Sequence, residues 1–259
     1  MIKIATPISD LFDNELMANE IMARSNCLEC RERSSMFKAP GQFLFHCEQN
    51  IVCLWDGHER SSIYSLISAK RELQLVSFHM AASCSEPVLT QGIYHSGGLV
   101  FTEEEMLNNA RLNIAWLRTW LEDNIEIAVE NNNYYSTPAY RHITDGSFIS
   151  RVVHENGLRL LFDSAHARIT AYNKGINYSE YRASLPLDRM IQIHISKHGI
   201  NERNIAYDAH ELPDETVFEE LIGIVSLYPL KYLTVEYYKD PCELLKVLDY
   251  CQTIIKRVE

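Results

Sequence analysis

Residues 101–131 read FTEEEMLNNARLNIAWLRTWLEDNIEIAVEN, and they hold one complete helix-then-strand unit. Met106, Leu107, Ala110, Ile114, Leu117 and Leu121 recur at helical spacing, which lines them up on one face of an α-helix. Thr102 precedes Glu103, Glu104 and Glu105. Its hydroxyl can cap free amides and the acids suit the positive helix end, so a helix is expected over Glu103–Glu122. The pattern then changes to Ile125–Glu130, a run of strand length that ends in an acid.

Working outward, the same alternation recurs. Further strands are expected at Ile2–Thr6, Phe43–Cys47, Leu75–His79, Leu158–Asp163, Met190–Ile195 and Tyr232–Glu236. Helical patterns lie at Asp13–Arg24, His58–Arg71, Pro138–Asn156, Tyr178–Leu185, Asp214–Leu227 and Pro241–Val258. Repeated strand–helix units imply a parallel sheet with crossover helices. No Pro/Gly/Ser linker and no shift in composition divides the chain, which favours one closed structure. The expectation is an α/β fold, a TIM-type (β/α)8 barrel in a single domain over residues 1–259, with an irregular eighth unit. Its eighth strand is not legible; it is absent, irregular, or hidden around Gly92–Val100 or Ile200–Tyr207.

The chain has 259 residues, 46% hydrophobic and 23% charged, which is ordinary for a globular protein with a sizeable core. Its 24 Lys+Arg against 35 Asp+Glu give a net charge of -11. That balance argues against nucleic acid as a partner, because counterion displacement needs a basic surface. No apolar run reaches the roughly 18 residues of a membrane span. Met1–Pro7 lacks the apolar stretch of a secretion signal, and the seven Cys are an odd number, so a cytoplasmic protein with free thiols is expected. Cys27 and Cys30 form a lone CxxC in a polar stretch, with no second Cys/His pair at zinc-ribbon spacing. Arg31–Pro40 reads as a loop rather than a metal knuckle.

The strand ends carry the chemistry. His46 and Glu48 close the second legible strand, His79 the third, and Glu130-Asn131 the fourth. Asp163 closes the fifth with His166 just beyond, His194 lies on the sixth, and Glu236 closes the seventh; Asp208 and His210 fall on a loop between the last two. Taken singly, a His at a strand end is more often a hydrogen-bonded core residue, and a Glu there the first solvated residue of a loop. Six consecutive strands ending this way change the weighing. In a barrel those ends converge on one face, and buried carboxylates without partners would cost several kcal/mol. Bound cations remove that cost, and mixed imidazole and carboxylate donors suit Fe, Mn or Zn. The candidate metal ligands are His46, His79, Glu130, Asp163, His166, His194, Asp208, His210 and Glu236, more than one ion takes. A carboxylate such as Glu130 or Glu236 can bridge two ions. His58, His95, His142 and His154 are read as surface residues.

Several short motifs then resemble one family in order and spacing. They are Val129-Glu130-Asn131, Leu161-Phe162-Asp163-Ser164-Ala165-His166, Ser184 to Arg189, and Ile193-His194-Ile195-Ser196-Lys197-His198, followed by Asp208-Ala209-His210, Pro213-Asp214-Glu215 and Thr234-Val235-Glu236. The chain resembles the multinuclear non-haem iron-dependent oxidative enzymes of the xylose isomerase-like barrel superfamily, from about Phe43 to Asp240. The resemblance implies a barrel holding two or three irons (Fe2+/Fe3+), with O2 as co-substrate. It implies oxidative modification of a Cys-containing ribosomally synthesised precursor peptide, in some members with a small partner protein that holds the leader peptide. His79, Glu130, Asp163, His194, Asp208, His210 and Glu236 match family ligand positions, with His46 opposite the second-strand His. Asn131 and His198 become candidate catalytic residues. The family's Asn is Ala165 here, its second loop His is missing after His210, and its Ala-Gly before the last His is Ser196-Lys197. These departures bear on a third metal position and on the substrate.

Two other readings stay open on the sequence. One is a redox-neutral metal enzyme of the same superfamily, a sugar isomerase or epimerase with His198 or Lys197 as acid/base, or an endonuclease, which the charge disfavours. The other is a non-catalytic peptide-binding barrel.

Overall fold

The expected alternation of strand and helix closes on itself. A computed structural model describes residues 1–258. In chain order the first half comprises β1 (Lys3–Pro7), α1 (Glu15–Arg24), β2 (Cys27–Cys30), β3 (Gln42–Asn50), α2 (Gly57–Ser68), β4 (Leu75–His79), β5 (Val88–Thr90), β6 (Ile93–His95) and α3 (Glu103–Leu117). There follow β7 (Glu126–Glu130), α4 (Gly146–Glu155), β8 (Arg159–Asp163), α5 (Ser164–Lys174), α6 (Tyr178–Ser184), β9 (Met190–Ile195), β10 (Lys197–Ile200), β11 (Ala206–Glu211), α7 (Glu215–Leu227), β12 (Tyr232–Val235) and α8 (Pro241–Val258). Strands β1, β2, β3, β4, β7, β8, β9 and β12 form a closed barrel, every neighbouring pair parallel. Helix starts follow the capping chemistry: Thr102 accepts from the Glu105 amide and Glu105 reaches back to the Thr102 amide.

Two expectations are corrected. The missing eighth strand is β2, in the stretch read as polar and irregular. Ala5, Thr6 and Pro7 of β1 pair with Cys27, Leu28 and Glu29, which in turn bond β3. All four β2 residues are buried, Glu29 completely. The segments Gly92–Val100 and Ile200–Tyr207 instead contribute to two antiparallel ribbons outside the barrel, β5–β6 and β10–β11. Helix α5 has no counterpart among the expected helices; it has no amphipathic stripe because seven of its eleven residues are buried, among them Ser164, His166 and Thr170. The pattern at Pro138–Asn156 also divides, into a 3-10 turn at Pro138–Tyr140 and helix α4. Cys27 and Cys30 do not act as a pair: one thiol turns to the Ile4 carbonyl and the other to Gln42 Oε1. Among the described residues no helix is long and apolar enough to cross a membrane.

The strand periodicity positions the site. Ala5, Cys27, Leu44, Leu75, Ala128, Leu161, Ile191 and Tyr232, one from each barrel strand, pack together as an apolar plug. Side chains alternate along a strand, so the next inward position lies two residues on. From Cys27, Leu44, Leu75, Ala128, Leu161 and Tyr232 that step reaches Glu29, His46, Ser77, Glu130, Asp163 and Thr234, all buried. A dry floor is thus overlaid, at the C-terminal ends of the strands, by a layer of polar and ionisable groups, where barrel sites are built.

Candidate metal centre

Glu130 is the centre of that layer. It ends β7, and its carboxylate oxygens face four imidazoles: His79 Nδ1 at 2.9 Å, His194 Nδ1 at 3.4 Å, His46 Nε2 at 3.5 Å and His166 Nδ1 at 3.8 Å. His46 is held from behind by Ser77 Oγ, 2.8 Å from its Nδ1, so that its Nε2 faces Glu130. Burial disfavours charge on Glu130, yet the imidazoles of His46, His166 and His79 hold its carboxyl well below the usual range. Burial, helped by His79 and Arg31 and opposed by Glu130, pushes His46 down to about 4.

Asp163 serves two elements. Its Oδ1 accepts the His166 amide at 2.7 Å and so caps α5, while Oδ2 lies 3.9 Å from His194 Nδ1 and 4.0 Å from His166 Nδ1. Burial raises its carboxyl to about 7, and the charges of Glu130, Glu236 and Asp208 add to the shift against the opposing pull of His166. His166 Nε2 reaches Asp208 at 3.5 Å, and His210 Nε2 lies 3.2 Å from Asp208 and 3.5 Å from Glu236. Both residues of the Asp208/His210 pair lie on β11, with His210 at a positive φ of 43°, a conformation uncommon outside glycine that turns up at functional sites.

The structure thus brings His46, His79, Glu130, Asp163, His166, His194, Asp208, His210 and Glu236 into one connected network. Asn131 and His198 stand differently. The Asn131 amide donates to the Asp163 carbonyl at 2.9 Å and its oxygen accepts the Asp163 amide at 2.8 Å, so its side chain fixes the backbone of Asp163. His198 lies on β10, half-buried, with Nδ1 unpartnered and its imidazole pushed toward the neutral form by burial. Of the other His, His142 and His154 face carboxylates on the outer helices and stand apart from this network.

Sequence reasoning missed Glu29, Gln192 and Arg31. Glu29 Oε2 lies 2.9 Å from His194 Nε2, and Gln192 and Thr234 donate to the same oxygen at 2.7 Å and 3.2 Å. With a proton on Nε2 donated to this carboxylate, a neutral His194 would turn its Nδ1 lone pair toward Glu130 and Asp163, an arrangement found behind metal-binding imidazoles. Arg31 donates to Glu29 Oε1 at 3.0 Å and also to Glu236 Oε1. The one usable signal was an acid inside Cys27-Leu28-Glu29-Cys30, in a barrel still one strand short.

Two buried atoms test whether cations fit. Glu130 Oε2 and His194 Nδ1 have no hydrogen-bond partner, although other polar atoms stand within 4 Å of both. Buried polar atoms are rarely left so, and lone pairs converging without hydrogen bonds are what a metal ion satisfies. Three groups of donors lie within 4.8 Å of one another: His46/His79/Glu130, Glu130/Asp163/His166 and Glu29/His194/Glu236. A cleft of about 270 Å³ lined by Ser9, Asp10, Arg31, Arg33, Glu48, His210 and Tyr238 reaches the network from outside. A larger cleft, about 580 Å³ between Ser35–Gln42 and Ala69–Glu72, holds none of the ligand candidates named from the sequence.

The profile of the RiPP precursor modification enzymes MbnB/TglH/ChrH matches residues 60–229, a stretch that includes His79, Glu130, Asp163, His194 and Asp208. The chain belongs to this family. A UPF0276 protein of Caulobacter vibrioides is 32% identical over 113 residues, 44% of this chain and 39% of that one. A UPF0276 protein of Vibrio parahaemolyticus is 28% identical over 116 residues, 44% and 40% of the two chains. The match therefore spans about two fifths of these relatives' length. Among solved structures, the 3-keto-D-glucoside 4-epimerase of E. coli superposes over 98% of this chain and 100% of its own, with a TM-score of 0.63 at 13% identity. At that identity the likeness speaks for the barrel alone.

Proposed function

We propose that this family member is an iron-dependent enzyme, a single barrel domain over residues 1–259, that oxidises a Cys side chain in a ribosomally synthesised precursor peptide with O2. The observation that carries the reading is Glu130: fully buried, ringed by four imidazoles, with one oxygen free of hydrogen bonds. His46, His79 and Glu130 would hold one ion. Asp163, His166 and His194 would hold a second beside Glu130, with Asp208, His210 and Glu236 close by. Iron in such a donor set supplies one-electron chemistry and open positions for a thiolate and O2.

The chain's own groups prepare that chemistry. The Ser9/Arg33/Tyr238 cleft admits an extended peptide segment toward His210. His198, neutral and with a free Nδ1, takes the thiol proton, since only the thiolate binds metal strongly. Asn131 is a positioning residue that sets Asp163. Electrons leaving the Cys side chain are accepted by O2. The protein works in the cytoplasm, on a peptide carried by its leader or by a small leader-binding partner.

The test is anaerobic purification, iron loading, and exposure to O2 with a Cys-containing peptide, followed by mass spectrometry and an oxygen electrode. Iron-dependent O2 uptake with a mass change at Cys is expected. A redox-neutral sugar epimerase is the rival suggested by the barrel's structural neighbours. Turnover of a ketose without O2, and no change in the peptide, would establish it instead.

A further inference from the structure

The three donor groups are not equivalent. His46/His79/Glu130 and Glu130/Asp163/His166 share Glu130, and its Oε2 has no hydrogen bond. The third, Glu29/His194/Glu236, already contains a cation. Arg31 Nη2 lies 3.0 Å from Glu29 Oε1 and hydrogen-bonds Glu236 Oε1, and its side chain is only 13% exposed. Tyr238 donates to the same Glu236 oxygen at 3.2 Å. The other Glu29 oxygen is taken by Gln192, Thr234 and His194 Nε2. Three of the four carboxylate oxygens of this group therefore face an N–H or O–H of the chain; Glu236 Oε2 looks toward His210 at 3.5 Å, and His194 Nδ1 is turned to Glu130 and Asp163 without a hydrogen bond.

Charge points the same way. The network contains the carboxylates Glu29, Glu130, Asp163, Asp208 and Glu236 and the single guanidinium of Arg31. With neutral imidazoles, four negative charges remain, which two divalent ions neutralise. A third ion would leave a net positive charge in a buried layer, which the low dielectric there penalises.

We propose that Arg31 is a resident cation standing where a third metal ion would bind. The chain takes up two divalent ions, and the Glu29 and Glu236 oxygens that Arg31 spans become ligands of a third only when the guanidinium is removed. This rests on the metal-centre reading above. Arg is suited to the role because it cannot lose its proton, whereas a lysine or histidine would yield to a competing ion.

The experiment is a count. Chelator-stripped protein is titrated with Mn2+, and bound ions are measured by native mass spectrometry and by metal analysis after gel filtration. Two ions per chain are expected for the wild type and three for Arg31→Gln. The third ion should vanish in the Arg31→Gln/Glu29→Gln double variant, which ties it to Glu29. Arg31→Met, uncharged but of similar length, serves the same count if Arg31→Gln does not fold. Three ions in the wild type, or two in a folded Arg31→Gln or Arg31→Met protein, overturn the proposal. No bound ion in the wild type would refute the metal-centre reading itself.

Discussion

Glu29→Gln is the sharpest perturbation because it changes charge without changing volume, at a side chain that is 0% exposed. The carboxylate faces donors on both sides: Arg31 on Oε1, and His194 Nε2, Gln192 and Thr234 on Oε2. A glutamine has one acceptor oxygen. If it faces His194, Gln192 and Thr234, its NH2 is turned against the Arg31 guanidinium; the reverse orientation sets NH2 against three donors. Either way the buried Arg31–Glu29 charge pair is broken, Arg31 keeping only Glu236, and buried donors are left facing one another, which costs about 3–5 kcal/mol. In a chain of this size each kcal/mol is worth roughly 2–4 °C, so Tm measured with excess chelator should fall by roughly 6–20 °C. With the Nε2 proton no longer fixed, affinity for Mn2+ or Zn2+ should also fall by about tenfold to a hundredfold. Scanning fluorimetry and competition against a chelating dye read the two effects separately. A Tm within about 2 °C of wild type would show that Glu29 carries no net interaction. An unchanged Kd beside a lowered Tm would reduce it to a structural residue.

Glu130→Ala removes the group shared by two donor sets and should abolish most of the iron found in anaerobically purified protein, while Asp208→Ala should lower it in part. Iron content equal to wild type would sink the ligand assignment. His198→Gln should leave the number of bound ions unchanged and cut peptide oxidation by about a hundredfold, within the span of general acid–base effects; full activity would remove His198 from the mechanism. Leu161→Ala opens the floor of the barrel and should cost about 2–5 kcal/mol in denaturant unfolding, a cost below 1 kcal/mol showing that the plug relaxes. Cys251, buried in α8, has its thiol pushed up to about 12 by burial. A raised pKa stabilises the fold below the unfolded value near 9, and that contribution is lost as pH rises from there toward 12. Cys251→Ala should therefore flatten the fall in Tm between pH 9 and 11. An equal slope in the variant would assign the alkaline loss elsewhere.

The fold was legible where burial obeys one period. α3 announces itself through Met106, Ala110, Ile114 and Leu117 on one face and a Thr102–Glu105 cap, and β7 through the run to Glu130. α5 was illegible because a helix buried on most sides loses its polar stripe, so Ser164–Lys174 shows no single helical face. β2 was illegible for the same reason turned inside out. Four buried residues containing a Glu look like a solvated segment until one knows that the lumen above the plug is polar. The convergence of the candidate donors could be read because strand ends in a barrel must converge, so position along each strand was enough. Glu29 could not, since its place depended on recognising its strand.

That omission bears on function, because Glu29 and Arg31 are one strand's contribution to the lumen. With β2 restored, seven of the eight barrel strands or the residues directly following them supply a side chain to the network: Glu29 and Arg31, His46, His79, Glu130, Asp163, His194 and Glu236. β1 is the exception, giving Ala5 to the floor and Thr6 to a bond with Ser25. Without β2 the layer would be a ring of acids and imidazoles with no fixed positive charge. The β2 contribution supplies that charge together with the acid that orients His194. The side chains proposed to hold ions and the one proposed to limit how many enter are therefore set by the same alternation along the strands. Moving β2 by one residue would exchange Glu29 for a neighbour on the opposite face, and both properties would be lost together.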